Sequence, residues 1–289
     1  RRSVGSRGPF ACAAVLSACS WIGMARCFAE TLPADRRVER LRIWKLNPLV
    51  SCALLLRQDL PVALLAVMYS AQCMTRCVDA YLLPFTARAL GWGRTEVSQL
   101  LSFWGLCVFV GSRMARRALQ RFKTHSVVSV GTLAKAAEFL LRAATTSWWH
   151  HPAALILGLP GVCVEGTMRA LVSAAASIHC PHLSHGTVQA ALKTQQAVTV
   201  ALLGTPLFGY TFTRWLRAPR KPKLATHYAL ASAMAVLAHI ILCGASAAAV
   251  HSGSSALLSS PTSSWASIES LREPRSPIRL PDRQRKESS

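Results

Sequence analysis

Seven long apolar blocks run through this sequence, and their length restricts the chain to few folds. Blocks of about 20 residues match the ~30 Å hydrocarbon core of a bilayer at the 1.5 Å rise of an α-helix. They are too broad for the apolar stripe of a helix on a soluble protein. The blocks lie at about 9–29, 60–85, 96–112, 126–147, 152–178, 186–213 and 224–250. We therefore predict an all-α, polytopic membrane helix bundle of about seven spans, an integral multi-pass protein surrounded by the lipid bilayer.

The distribution of charge fits a membrane protein better than a nucleic-acid-binding protein. The 289 residues carry a formal net charge of +21, and such a charge alone would indicate a nucleic-acid partner. The Arg and Lys residues, however, lie mainly between the apolar blocks and in the tail, where basic charge sets membrane orientation. We therefore predict no nucleic-acid partner.

The same charges predict which side of the membrane each loop faces. Placing the Arg-rich connector 30–58 in the cytoplasm also brings the basic cluster after the third block to the inner side, as the positive-inside rule requires. The loops at 86–95 and 148–151 then face outward and carry only Arg88 and Arg94. The segment RWLRAPRKPK (214–223) departs from this pattern, because its five basic residues would face outward.

Charged and amide side chains recur at helical spacing inside the blocks. Such residues are costly in a bilayer and usually face the bundle interior or a water-filled cavity. Spacings of three or four place the members of each set on one face of their helix. The candidate substrate or ion pathway residues are Arg76 and Asp79 in the second block, Lys135 and Glu138 in the fourth, Glu165 and Arg169 in the fifth, and Lys193 and Gln196 in the sixth.

Other interpretations of these charges stay open. Opposite charges at this spacing can neutralise each other as structural ion pairs. Arg142 and Lys193 lie close enough to the ends of their blocks to extend towards the interface. With Arg142 included, the charged residues named here comprise five bases and three acids. The excess positive charge indicates either an anionic small-molecule substrate or carboxylates on a part of the protein outside this sequence.

Two segments rich in Gly and Pro interrupt the later blocks, LGLPGVCVEG (157–166) and LLGTPLFG (202–209). Such segments loosen the hydrogen-bond ladder of a membrane helix and let neighbouring helices approach closely. Discontinuous helices of this kind often flank the binding sites of transporters. Ordinary helix packing explains the same residues equally well.

The sequence shows little sign of a metal-binding or catalytic cluster. The segment HCPHLSH (179–185) contains three histidines and a cysteine, but its spacing fits no metal-ligand pattern. No arrangement of a nucleophile with a base and no phosphate-binding loop stands out. We therefore predict a protein that is not an enzyme and that has no cofactor and no metal.

Four segments carry a resemblance to a known family: FAETLPADRR (28–37), WKLNPL (44–49), ALGWGRTEVSQLLSFWGL (89–106) and HGTVQAALKTQQAVTVALLGTPLFGYTF (185–212). Taken together, they make residues 10–250 similar to the C-terminal half of a major facilitator superfamily transporter, in the tetracycline-efflux-like branch. The segment GSRMARRALQRFKTH (111–125) keeps the glycine and the basic cluster expected there, but it lacks the usual acidic residue and second glycine.

The resemblance implies that the seven blocks correspond to helices six to twelve of such a transporter. Residues 1–29 would be the last helix of a missing N-terminal half and 30–58 a cytoplasmic amphipathic connector. Residues 59–250 would form the six-helix C-terminal half, followed by a disordered tail at 251–289. The implied function is secondary active transport of a small solute by alternating access, with proton coupling as one option. The chain would be a fragment that works with the missing half or with a partner half.

Two alternatives to a transporter stay open. Seven blocks also suit a seven-helix receptor, although the long connector after the first block is unusual for one. A non-transporting membrane scaffold regulated through its tail is the second alternative, since Ser260 and Ser276 each precede a proline and Ser276 lies beside arginines.

Overall fold

The computed structural model of the chain describes residues 7–27, 50, 53, 55–180, 185–218 and 224–251. Most of the connector 30–58 and nearly all of the tail 251–289 lie outside these residues, so the predictions about them stay untested. The described helices, in chain order, are α1 (Arg7–Cys27), α2 (Leu60–Thr75), α3 (Leu82–Leu90), α4 (Arg94–Arg121), α5 (Thr124–Ala143), α6 (His150–Leu157), α7 (Val164–His179), α8 (His185–Val198), α9 (Thr205–Arg217) and α10 (Thr226–His251).

Three short segments of irregular helix interrupt longer helical runs. A 3₁₀-helix at Arg76–Tyr81 joins α2 to α3, and another at Leu159–Gly161 lies between α6 and α7. A π-helix at Thr199–Gly204 joins α8 to α9. The second lies in the first Gly- and Pro-rich segment of the sequence, the third overlaps the start of the other, and the first has no such signal.

Each of the seven apolar blocks coincides with one helix or with two helices and the irregular segment between them. The all-α fold class is thus confirmed for the described residues. Three helical runs are long and apolar enough to cross a membrane, namely Leu60–Leu90, Arg94–Arg121 and Thr226–Val250, and Ala14–Gly23 in α1 is a shorter apolar stretch. The full count of seven spans stays a prediction.

The described helices belong to two units. Helix α1 lies in a unit comprising residues 1–45, and α2–α10 lie in a second unit comprising residues 46–289. The apolar side chains Val15, Leu16 and Trp21 of α1 are exposed.

The turn between α3 and α4 follows from two glycines and an acid. Gly91 has a φ of 71°, in the left-handed region that glycine adopts without strain, and it ends α3. The Glu96 carboxylate accepts a hydrogen bond from the Gly93 N–H at 2.9 Å and so caps the first turn of α4. Gly91 and Glu96 together thus define this turn.

Helix α10 is the central packing element of the second unit, because it contacts both α2 and α5 extensively. Small residues on its buried face let the neighbouring backbones approach, as is common between membrane helices. These buried residues are Ala231, Ala235, Ala238, Leu242 and Ala245. Helix α2 also packs against α7, so α2, α5, α7 and α10 form one continuous bundle.

An aromatic cluster of Phe85, Phe212, Trp215, His227 and Tyr228 joins α3, α9 and α10. The imidazole of fully buried His227 lies edge-on to the Phe212 ring, with ring centroids 5.0 Å apart, and 5.2 Å from the Phe85 ring. Neither nitrogen of His227 has a hydrogen-bond partner among the described residues. The cluster is therefore held mainly by ring packing.

Glycines bring the irregular segment Leu159–Gly161 onto α5. A Cβ on Gly131 would lie 3.0 Å from the backbone oxygen of Pro160 and would overlap the Val164 side chain. A Cβ on Gly158 would overlap the Glu138 carboxylate. Only glycine fits at either position, and this close approach sets the charged residues of α5 beside those of α7.

Candidate functional site

Eight pathway residues were predicted, and the structure places them on four neighbouring helical runs. Arg76 and Asp79 lie on the 3₁₀ segment between α2 and α3, and Lys135 and Glu138 lie on α5. Glu165 and Arg169 lie on α7, and Lys193 and Gln196 lie on α8. Their contacts form two polar networks, each built around a buried glutamate.

The Glu138 network consists of Lys135, Glu138, Arg142 and Asp79. The Glu138 carboxylate lies 2.7 Å from Lys135 Nζ and 2.5 Å from Arg142 Nη2. Arg142 Nη1 also lies 3.4 Å from Asp79 Oδ1 and so links α5 to the 3₁₀ segment. The network holds two bases and two acids, and its formal charges balance.

The Glu165 network consists of Arg76, Glu165, Arg169 and Gln196. The Glu165 carboxylate lies 2.6 Å from Arg76 Nη1 and 2.9 Å from Arg169 Nη2. It also accepts a hydrogen bond from Gln196 Nε2 at 3.2 Å. Two arginines therefore share one carboxylate, and the network carries a formal charge of +1.

Lys193 and Tyr69 extend the Glu165 network to its edge. The Gln196 side-chain oxygen accepts hydrogen bonds from the Tyr69 hydroxyl at 3.2 Å and from exposed Lys193 Nζ at 3.4 Å. Lys193 thus lies at the rim of the network, where its ammonium group stays accessible to water.

A cavity of about 320 Å³ lies between the two networks. Each network contributes one acidic and one basic side chain to the cavity wall. The other side chains of the wall are amide, hydroxyl, aromatic or aliphatic. The wall includes Gln72, Arg76, Asp79, Trp104, Lys135 and Glu165. The sequence therefore predicted four of these six residues, and the cavity brings them together.

One open interpretation placed Arg142 at the membrane interface, and the burial of this side chain excludes it. Its side chain is only 2% exposed and lies between Glu138 and Asp79. A buried guanidinium needs such partners, because burying an unpaired charge is very costly. Its position seven residues after Lys135, on the same helix face, was the available signal for an inward orientation.

The sequence prediction missed two other groups at the cavity. Gln72 lies four residues before Arg76 on the same run, so its spacing could have placed it on the same face. Its side chain is 6% exposed, and its amide oxygen has no hydrogen-bond partner among the described residues. Trp104 was not among the predicted residues because it is neither charged nor an amide, and these were the side chains that marked the pathway.

The segment HCPHLSH has two described residues at the end of α7, and both form local contacts. His179 Nδ1 lies 3.1 Å from Asp59 Oδ2, and the Cys180 thiol donates to Gln58 Oε1 at 3.0 Å. Burial raises the pKa of the Cys180 thiol, and the nearby Asp59 carboxylate raises it further. Within the described part of the chain, no group of three or more His, Cys, Asp or Glu residues could hold a metal ion.

Comparison with known proteins gives one informative similarity. The chain is 26% identical, over 213 residues, to the tetracycline resistance protein, class D, of Salmonella ordonez, and the match covers 71% of this chain and 50% of that protein. The chain thus spans about half the length of the curated relative it matches. No protein-family model matches the chain, and no solved structure matches it.

This similarity agrees with the resemblance seen in the sequence motifs. It supports a relationship to the major facilitator superfamily and is consistent with a transporter. It also fits the prediction that the chain is not an enzyme. Together with the three helical runs that are long and apolar enough to cross a bilayer, it indicates a membrane protein.

Proposed function

We propose that this chain forms one half of a secondary active transporter and moves a small solute by alternating access. The observation that carries the proposal is the charged cavity between the Glu138 and Glu165 networks. Ion pairs that only hold helices together would need no such space between them. In membrane proteins, charged side chains beside a cavity generally mark the path of a substrate or an ion.

The irregular helical segments support the same proposal. Arg76 and Asp79 lie on one 3₁₀ segment, and Gly161 of the other also lines the cavity. The π-helix packs beside the first of these, where Gly204 lies against the Cys77 side chain. Breaks of this kind typically surround the binding sites of transporters and provide places where helices bend.

The similarity to a tetracycline resistance protein contributes only the class of cargo, a small solute. Because the chain spans about half of that relative, we propose that a second half completes the pathway. The cavity of this chain would then form one wall of a site between two halves, and rocking of the halves would open that site to each side in turn.

Accessibility of a single cysteine tests alternating access without knowledge of the substrate. Val108 on α4 lines the cavity, and Ile240 near the middle of α10 is 59% exposed on the outer surface of the bundle. Each is replaced by cysteine in a variant that lacks the ten native cysteines. The protein is tagged and kept in its own membranes, so that any second half stays present, and right-side-out and inside-out vesicles are treated with an impermeant maleimide.

We expect Val108→Cys to be labelled from both faces of vesicles that remain impermeable to the reagent. We expect Ile240→Cys to be labelled from neither face, because lipid covers it. Labelling of Val108→Cys from one face only would contradict alternating access and would favour the seven-helix receptor.

We further propose that Glu165, not Glu138, carries the proton if transport is coupled to one. Glu165 lines the cavity, whereas Glu138 is enclosed by Lys135 and Arg142. The ratio of Val108→Cys labelling from the two faces should then change between acidic and alkaline buffer, because protonation shifts the population of the two states. Glu165→Gln should abolish this change, and Glu96→Gln, at the exposed first turn of α4, should preserve it. A pH-dependent ratio that persists in Glu165→Gln would exclude this role for Glu165.

A further inference from the structure

The charges around the cavity are unequally divided between its two sides. The Glu138 network is formally neutral, whereas Arg76 and Arg169 share the single carboxylate of Glu165. The Glu165 network therefore carries a net positive charge beside the cavity wall, and the remaining unbalanced base, Lys193, lies at the rim of that network. A net positive charge in a membrane-embedded site is stabilised by an anion that enters it.

Arg76 is the residue best placed to meet such an anion. It lines the cavity, and 58% of its side chain is exposed, whereas Glu165 is only 6% exposed. A guanidinium has five N–H donors in a planar arrangement that suits the two oxygens of a carboxylate. The ion pair with Glu165 uses one nitrogen, Nη1, and the guanidinium has further N–H donors beyond that one.

Gln72 adds a second, independent requirement for a ligand. Its amide lies one helical turn before Arg76, is 94% buried and lines the same cavity. The amide oxygen has no hydrogen-bond donor among the described residues. A buried acceptor without a donor costs free energy, so a ligand that carries an O–H or N–H group would satisfy it. The Cβ atoms of residues four apart on a helix lie about 5–6 Å apart, so a short molecule can place its anionic group at Arg76 and its hydrogen-bond donor at Gln72.

The apolar part of the wall indicates what separates those two ends. Trp104 on α4 is half-buried and presents part of its ring system to the cavity. An indole face packs well against a flat aromatic body. Phe139 also lines the cavity, but Lys135 Nζ already lies 5.6 Å from the centre of its ring. Trp104 is therefore the better aromatic contact.

We propose that this cavity binds a small aromatic carboxylate, with the carboxylate on Arg76, a hydrogen-bond donor on Gln72 and the ring against Trp104. The inference rests on the proposed function only in treating the cavity as a solute site, and it names the substrate class of that site. The simplest probe that carries all three features is 4-hydroxybenzoate.

Two analogues of this probe test its two polar ends separately. In 4-hydroxybenzamide the charge is removed and the hydroxyl is kept, whereas in benzoate the charge is kept and the hydroxyl is absent. The tagged protein is isolated from its own membranes into lipid nanodiscs together with any second half, and equilibrium binding of each compound is measured by competition against radiolabelled 4-hydroxybenzoate. We expect saturable binding of 4-hydroxybenzoate. The neutral amide should bind about tenfold or more weakly, since hydrogen bonds to charged groups are the stronger ones.

Three variants assign the binding to the Glu165 network. Arg76→Gln should weaken 4-hydroxybenzoate binding about tenfold or more and make the acid and the amide bind alike. Arg113→Gln, the matched control, changes an arginine of α4 whose guanidinium lies over the Phe109 ring, and it should leave binding unchanged. Glu165→Gln should strengthen binding, because it removes the carboxylate that competes with the anion for Arg76. A purely structural Glu165 would not give such a gain.

The proposal is overturned if 4-hydroxybenzoate shows no saturable binding, if the amide binds as tightly as the acid, or if Arg76→Gln leaves the preference for the acid unchanged. The measurement uses no gradient and only one compartment, so its outcome is separate from the vesicle experiment. If 4-hydroxybenzoate binds but Val108→Cys is labelled from one face only, the protein has an anion site and does not undergo alternating access. Labelling from both faces without this binding would retain the transporter and exclude this substrate class.

Discussion

Arg142 on α5 reaches across to Asp79 on the segment between α2 and α3, so that Nη1 and Oδ1 lie 3.4 Å apart although 63 positions separate the residues. The same guanidinium holds Glu138 on its own helix. Because its side chain is 2% exposed, this arginine acts as a buried connection between the two helical runs.

Neutralising Glu138 should therefore destabilise the fold strongly. Glu138→Gln leaves Arg142 and Lys135 without the carboxylate they share, and breaking a buried ion pair costs about 3–5 kcal/mol. Thermal unfolding of the purified protein in detergent should show a clearly lower midpoint. Glu96→Gln is the matched control, because Glu96 is exposed and glutamine can still cap α4. Equal midpoints for the two variants would contradict the buried connection.

Gly131 should tolerate no side chain. In Gly131→Ala the new Cβ would meet the Pro160 carbonyl oxygen, a backbone atom that cannot turn aside, and would overlap the Val164 side chain. Forcing an extra methyl group into a packed contact costs about 1–3 kcal/mol. Gly105→Ala on α4 is the control, since no atom lies within 4 Å of a Cβ there, and it should be neutral or stabilising. Denaturant titration of both variants measures the difference, and a stable Gly131→Ala would show that this contact can relax.

His227 should be replaceable by phenylalanine but not by alanine. Its ring is fully buried among Phe85, Phe212 and Trp215, and neither nitrogen has a described hydrogen-bond partner. His227→Phe removes these buried polar atoms and keeps the ring packing, so we expect a midpoint of unfolding at or above that of the parent. His227→Ala opens a cavity and should lose about 2–4 kcal/mol. A His227→Phe variant as unstable as His227→Ala would mean that the imidazole nitrogens have partners.

The packing of α8 against α2 should depend on the side-chain amide of Gln195. Gln195 is 5% exposed, and its Nε2 donates to the Ala66 carbonyl oxygen at 3.0 Å and to Ser70 Oγ at 2.7 Å. A double-mutant cycle with Gln195→Ala and Ser70→Ala isolates the side-chain bond. We expect a coupling energy of about 0.6–2 kcal/mol, as for other hydrogen bonds between membrane helices. Strict additivity of the two changes would exclude this bond.

The sequence predicted contacts within a helix better than contacts between helices. Lys135 with Glu138 and Glu165 with Arg169 form the pairs that their spacing indicates. Arg76 and Asp79 also have suitable spacing, yet Arg76 pairs with Glu165 and Asp79 with Arg142. Spacing along one helix shows which face a residue occupies, whereas its partner depends on how helices pack, and no local pattern contains that information.

Irregular segments were predictable only where a glycine or proline marks them. The break at Leu159–Gly161 and the π-helix fall in segments rich in these residues. The 3₁₀ segment Arg76–Tyr81 contains neither, and it follows a run of ordinary helix formers. Tertiary packing and buried ion pairs therefore determine its geometry, so the segment that carries Arg76 and Asp79 was the hardest to foresee.

Because of the π-helix at Thr199–Gly204, the orientation of α9 relative to α8 depends on the number of residues in this segment. A π turn contains more residues than an α turn, so the helix beyond it is rotated relative to an unbroken α-helix, by about 100° for each added residue. On one side Gln196 faces Glu165, and on the other Phe212 packs against His227. Loss of a single residue within 199–204 would retain every side chain of α9 but turn Phe212 away from its neighbour. A frame-preserving deletion here would therefore affect the protein more than most substitutions at the same positions.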